Sequence, residues 1–267
     1  MSPGTGHPLP PRDEETTVIQ PLNDTVLIHD IDDGAVRIIE LNRPDARNAI
    51  NPDLGAALPA AVSACDGDPS TRVIVITGSD PAFCAGFDVR AVASGEKRGE
   101  NPHPGWWTAL PPTRVPLIGA VNGAAVTGGL EIALACDFLV ASDRARFADT
   151  HAKMGMVPGW GLSVLLPRII GTGRARRMSL TSEFVDAATA LAWGLVTEVV
   201  PHDDLMERTI SIAREIAAHH PGAVAEIRTV YRDAARGGVD DGAFELENRR
   251  AREWAARRSR EIRGESR

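Results

Sequence analysis

The sequence predicts an α/β protein: a parallel-sheet core followed by an all-helical C-terminal region. Three observations carry this. RVIVITG (72–78) and VPLIGAV (115–121) are unbroken apolar runs of strand length, bounded by turn residues, the pattern of strands covered on both faces. Helix-patterned segments alternate with such runs up to about residue 200. From Pro201 onward only helical patterning remains, with Pro221-Gly222 and Gly237-Gly238 as separators.

The elements follow in order. The Pro-, Gly- and charge-rich start, residues 1–23, reads as a disordered tail without an apolar signal-peptide core. TVLIHD (25–30) and AVRIIEL (35–41) are β-rich runs around Asp33-Gly34, a hairpin signal. LNRPDARNAI is a loop, and Pro52 to Ala64 an alanine-rich helix interrupted at Pro59. SDPAFCAGFDVRAV runs from loop into a short helix, and residues 94–113, with Trp106 and Trp107, read as a surface segment. Thr127 to Cys136 is the next helix and DFLVAS (137–142) the next strand. A short helix starts between Asp149 and Met154, with Asp149 as N-cap or as a partner that orients His151. Helices near 161–169, 173–181 and 186–193 precede the strand VTEVV (196–200). The tail holds three helices, 202–219, 221–235 and about 240–263. This divides the chain into residues 1–23, a core at 24–200 and a helical region at 201–267.

Composition excludes several classes. A chain of 267 residues with 43% hydrophobic content has enough apolar mass for a large core. A formal net charge of -7 leaves no general basic surface for nucleic acid. No apolar stretch reaches the length of a membrane span. Cys65, Cys84 and Cys136 are odd in number and widely spaced, which argues against disulfides and a zinc site and fits a reducing cytoplasm. No GxGxxG opens the first strand–helix unit, so a nicotinamide-dependent dehydrogenase is a poor fit.

The chemistry concentrates at Gly128, Gly129 and Glu131. An apolar run breaks at glycines and resumes on a helical period, which sets a carboxylate within the first turn of a helix. Such a helix start offers unpaired backbone N–H groups and positive dipole potential, suited to a developing oxyanion with an acid or base beside it. When the motif is taken alone, a tight turn at Gly86 and ordinary strand-to-helix packing at Gly128-Gly129 account for these glycines better than a binding site does.

Five motifs in order, LNRPDARNAI, VIVITGSDPAFCAGFDV, VPLIGAVNGAAVTGGLEIALACDFLVAS, RFADTHAKMGMVPGWG and DAATALAWGLVTEVVP, resemble the crotonase (enoyl-CoA hydratase/isomerase) superfamily over roughly residues 24–255. The resemblance implies a crotonase-like spiral of ββα units, an acyl-CoA thioester substrate with no cofactor beyond its coenzyme A, and a homotrimer or dimer of trimers assembled through the helical tail. It places oxyanion-hole N–H donors at Phe87 and Gly128. Glu131 matches the first of two catalytic glutamates and is the candidate for activating and orienting water. His151 stands where the second glutamate belongs; a histidine can exchange a proton near neutral pH, but its ring is shaped differently. Arg47, Ala85 and Arg90 occupy positions that border coenzyme A, although both arginines read equally well as solvated surface residues. Trp106, Trp107 and Trp160 either wall the acyl pocket or simply pack. Gly159 lacks the carboxylate that a related dehalogenase uses as nucleophile. Arg249, Arg250, Arg257 and Arg258 interleave with Glu245, Glu247 and Glu253 on a helix face, a pattern of local ion pairs. The leading expectation is hydration of a trans-2-enoyl-CoA. Isomerisation, thioester hydrolysis or decarboxylation on the same oxyanion hole, and a non-catalytic acyl-CoA-binding subunit, stay open beside it.

Overall fold

The computed structural model describes residues 17–88 and 108–234, with Arg249 and Glu253. Its main sheet has seven strands: β1 (Thr17–Asn23), β2 (Val26–Ile31), β3 (Val36–Leu41), β4 (Val73–Gly78), β5 (Leu117–Val121), β7 (Phe138–Ser142) and β10 (Glu198–Val200), in that spatial order. The first three strands pair antiparallel; β3, β4, β5, β7 and β10 run parallel. A second sheet holds β6 (Ala124–Val126), β8 (Arg146–Ala148) and β9 (Val185–Asp186). Seven α-helices lie among the described residues: α1 (Pro52–Gly67), α2 (Gly128–Leu134), α3 (Leu162–Ile170), α4 (Thr172–Thr181), α5 (Ala187–Trp193), α6 (Leu205–Ala217) and α7 (Pro221–Ala234). This is the mixed α/β, crotonase-type architecture that the motifs imply.

Every residue of β4 is buried, because both faces of the sheet are covered. Ile28, Ile39, Leu41, Ile74 and Ile76 share one core with Leu54, Leu58, Ala61 and Val62 of α1. Ile31, Val36, Ile38, Val73 and Val75 share a second core with Leu205, Met206, Ile210 and Ala213 of α6. Neighbours such as Ile38 and Ile39 thus face opposite sides, the period-2 rule of a strand. The β2–β3 hairpin turns through Asp32, Asp33 and Gly34, all at positive φ, as the Asp33-Gly34 signal requires.

Four expectations change. The stretch 1–23 contains a strand: β1 occupies Thr17–Asn23 at the sheet edge, where Pro21 removes no inner-ladder bond. Helix α1 continues through Pro59 to Gly67, since burial of Leu54, Ala57, Leu58, Ala61, Val62 and Cys65 outweighs one lost hydrogen bond. The first compact unit extends to Ala217 rather than ending at 200, because α6 carries one face of the sheet core. Asp149 does not cap the short 3-10 turn Ala152–Met154, whose N-cap is His151 without a side-chain cap bond. The expected helix at 240–263 lies outside the described residues except for Arg249 and Glu253, both helical and exposed. Arg90, Trp106 and Trp107 also lie outside them. No described helix is long and apolar enough to cross a membrane.

Candidate active site

Strand pairing gathers the site. Strands β6 and β8 run parallel with Val126 beside Ala148, so the residues that follow each leave the small sheet side by side. One exit is Thr127 to Glu131; the other is Asp149 to His151. Cys84 pairs with the other edge of β6, its N–H donating to the Ala124 carbonyl at 2.9 Å and its carbonyl accepting from the Val126 N–H at 2.9 Å. This sets Ala85, Gly86 and Phe87 against the start of α2. Ile50 brings in the loop 43–50: its N–H donates to the Gly86 carbonyl at 2.7 Å, and its carbonyl accepts from the Asp88 N–H at 2.9 Å. By the alternation of a parallel bridge, the N–H of Phe87 itself points away from Ile50.

The approach of these segments depends on glycine at two positions. A Cβ on Gly129 would sit 2.1 Å from the Cys84 carbonyl oxygen, and one on Gly86, at φ +92, would sit 2.8 Å from the Val126 oxygen. Gly129→Ala is therefore expected to push α2 off the Cys84–Phe87 segment and cost ~1–3 kcal/mol of stability. Gly159→Ala, whose Cβ meets nothing within 4 Å, is its control. Chemical denaturation midpoints of the two variants check this: a lower midpoint is expected for the first alone.

Thr127, ahead of α2, adopts φ 53 and ψ -111, an unusual backbone for a β-branched residue. It is held there from β8: its N–H donates to the Ala148 carbonyl at 2.9 Å, and its hydroxyl accepts from the Thr150 N–H at 3.1 Å. The Thr127 and Thr150 hydroxyl oxygens are 2.5 Å apart. The N–H of Gly128, first residue of α2, has no intrahelical acceptor by position.

Glu131 is 1% exposed. Its Oε1 accepts from the Trp160 N–H at 2.8 Å and the Gly159 N–H at 3.2 Å. Burial raises its pKa above the usual carboxylate range, against the opposing pull of the Trp160 N–H, His151 and the Gly159 and Leu162 N–H groups. Oε2 faces His151, with Nε2 3.9 Å away. Across the ring, His151 Nδ1 lies 2.7 Å from Asp149 Oδ1, and the same oxygen accepts from the His151 N–H at 3.1 Å. Asp149 is 1% exposed, and burial pushes its pKa up. The bonds from His151 and Ser179 outweigh that and hold it below its ordinary value.

Phe87, Glu131, His151, Met156, Val157, Gly159 and Trp160 line one pocket of about 130 Å³. The Trp160 ring stands 5.0 Å from that of Phe87, tilted by 54°, so Trp160 forms a wall of this pocket. Phe87, Gly128, Glu131 and His151 thus come together. Arg47, exposed and at φ 51, meets Ala85 through its backbone carbonyl, which accepts the Ala85 N–H at 3.0 Å. Sequence reasoning missed the Gly159 and Trp160 N–H groups as donors to Glu131 and missed Met156 and Val157 as lining. Backbone donors carry no side-chain signature, and only the motif around them was visible. Among the described residues no cluster of His, Cys, Asp and Glu could hold a metal ion.

A parallel-sheet core whose second, smaller sheet delivers a buried carboxylate and imidazole to one pocket, beside a glycine-rich helix start, defines a protein of the crotonase fold class. The family model described as Enoyl-CoA hydratase/isomerase matches residues 32–265. A probable peroxisomal enoyl-CoA hydratase of Arabidopsis thaliana is 40% identical over 220 residues, 82% of each chain. A carnitinyl-CoA dehydratase of Salmonella typhi is 36% identical over 221 residues, 80% of this chain and 84% of that one. The solved enoyl-CoA hydratase of Mycobacterium tuberculosis H37Rv superposes with a TM-score of 0.73 at 43% identity, covering 87% of this chain and all of that one. The chain belongs to the enoyl-CoA hydratase/isomerase family.

Proposed function

We propose that this protein is an enoyl-CoA hydratase, adding water across the double bond of a trans-2-enoyl-CoA. The observation that carries this is the pair Glu131 Oε2 and His151 Nε2, 3.9 Å apart in one pocket. That gap is too long for a direct hydrogen bond and short enough for one water to bond both groups. The N–H groups of Phe87 and Gly128 form the oxyanion hole for the thioester oxygen; losing one such donor typically costs ~3–4 kcal/mol in the transition state. Trp160 and Phe87 close one side of the acyl group. Coenzyme A runs past Ala85 and Arg47, whose hydrogen-bonded backbones make one continuous surface, with Arg90 as a further phosphate contact. The substrate brings its own coenzyme A, and the reaction needs no other cofactor. The assembly is a homotrimer or dimer of trimers formed through the helical tail, and the location is cytoplasmic.

Purified protein is expected to lower the conjugated-enone absorbance of crotonyl-CoA or a longer enoyl-CoA, and mass analysis to show a gain of one water. Retained mass with a moved double bond would replace hydration by isomerisation. Release of free coenzyme A would replace it by thioester hydrolysis, and loss of carbon dioxide from a carboxyacyl-CoA by decarboxylation. Binding of CoA esters without turnover across chain lengths would make the protein an acyl-CoA-binding subunit.

A further inference from the structure

Asp149 is a buried acid that neither caps a helix nor reaches the substrate pocket, yet it makes two bonds to one neighbour. Its Oδ1 accepts the His151 N–H at 3.1 Å and lies 2.7 Å from His151 Nδ1. An ionised carboxylate has only acceptor sites, so the short ring contact requires the hydrogen to be on Nδ1. In the neutral imidazole, Nε2 then carries a lone pair, and Nε2 is the atom that faces Glu131 Oε2 at 3.9 Å. Glu131 is oriented by complementary means: Oε1 is taken by the Gly159 and Trp160 N–H groups, which leaves Oε2 toward the histidine.

We propose that Asp149 is a positioning residue that locks His151 in the Nδ1–H tautomer, so that His151 Nε2 is the base for the attacking water and Glu131 Oε2 is the acid. This rests on the hydratase reading above and divides the labour differently from the sequence expectation, which gave the water's proton to Glu131. The step balances. Nε2 takes one proton from water as its oxygen bonds to the β-carbon, and the π electrons move onto the thioester oxygen as an enolate. The enolate carbon takes the Glu131 Oε2 proton, giving the 3-hydroxyacyl thioester. The imidazolium, stabilised by Asp149, returns its proton to the Glu131 carboxylate through the next water. No proton leaves the pair over a full cycle, and one water is consumed.

The test has two readouts. Imidazole 15N–1H NMR of the whole protein, with the His151 signals assigned by their loss in His151→Gln, is expected to show the proton on Nδ1. In Asp149→Ala, which removes the oxygen that accepts from both Nδ1 and the His151 backbone N–H, the proton is expected to shift toward Nε2. With crotonyl-CoA, that variant is expected to lose at least ~100-fold in kcat with KM changed by no more than about threefold. A proton on Nε2 in the unaltered protein overturns the proposal whether or not Asp149→Ala folds. Unchanged kcat in a folded Asp149→Ala also overturns it. If the unaltered protein shows the Nδ1–H tautomer but hydrates no enoyl-CoA, the hydratase reading fails and the base role falls with it, while the tautomer lock stands.

Discussion

Glu131→Gln is expected to remove hydration, with kcat falling by ~10²–10⁴-fold and binding of the CoA ester little changed, while the fold becomes more stable at neutral pH. The two effects share a cause. Glu131 is buried, and burial raises its pKa against the pull of the Trp160 N–H, His151 and the Gly159 and Leu162 N–H groups. A carboxyl whose folded pKa lies above its unfolded value costs stability at every pH above that unfolded value, where the unfolded group gives up its proton more readily than the folded one. That cost is complete above the folded pKa and fades as pH falls through it toward the unfolded value of 4.5. Glutamine stays neutral at every pH, and its carbonyl oxygen can still accept the Gly159 and Trp160 N–H bonds. The melting temperature of the variant should therefore exceed that of the parent near pH 8, the two converging as pH falls toward the ordinary carboxylate range. Normal turnover in Glu131→Gln would remove Glu131 from the chemistry. A lower melting temperature near pH 8 would show that the Glu131 charge is a net support of the fold.

What the sequence made legible follows where its signals were dense. VIVITG announced a strand buried on both faces because six consecutive residues had to be apolar or small. TGGLE announced α2 because two glycines and a resumed helical period leave few other readings. Strands β6, β8 and β9 were missed: two or three residues are too few to show a period of two, although this small sheet aligns the exits of Glu131 and His151. Strand β1 was masked by its neighbours, since Pro21 and the charge-rich stretch before it argue against a strand anywhere but at an edge. The site divides the same way. Glu131 and His151 could be named from motif spacing. The Gly159 and Trp160 N–H groups could not, and neither could the choice between two local partners for Asp149, because both depend on how the chain folds back.

That choice gives the second large effect. His151→Glu restores the two-glutamate pattern of the family and, on sequence grounds alone, should help hydration. The structure predicts the opposite. A carboxylate in place of the ring would stand between Asp149 Oδ1, now 2.7 Å from Nδ1, and Glu131 Oε2, now 3.9 Å from Nε2. Asp149 and Glu131 are each 1% exposed, so three acids would crowd into one buried space, and at least one would be forced to hold a proton. Removing the imidazole also takes from buried Asp149 its short ring hydrogen bond, a loss of ~1–3 kcal/mol for a buried polar group left under-satisfied. His151→Glu is therefore expected to lower both the denaturation midpoint and hydration. Asp149→Asn alone is expected to destabilise less, because its amide oxygen can still accept from Nδ1–H and the His151 N–H. Combined, the two changes should not add: the amide introduced at position 149 can donate an N–H to the carboxylate introduced at position 151 and relieve the repulsion. The double variant should then be more stable than His151→Glu alone. Unfolding free energies of the four proteins close this cycle. If His151→Glu is as stable as the parent and hydrates faster, Asp149 does not read His151, and the site is a two-carboxylate one slowed by its histidine. If the cycle is additive, positions 149 and 151 show no net coupling, and relief of repulsion by the amide is ruled out.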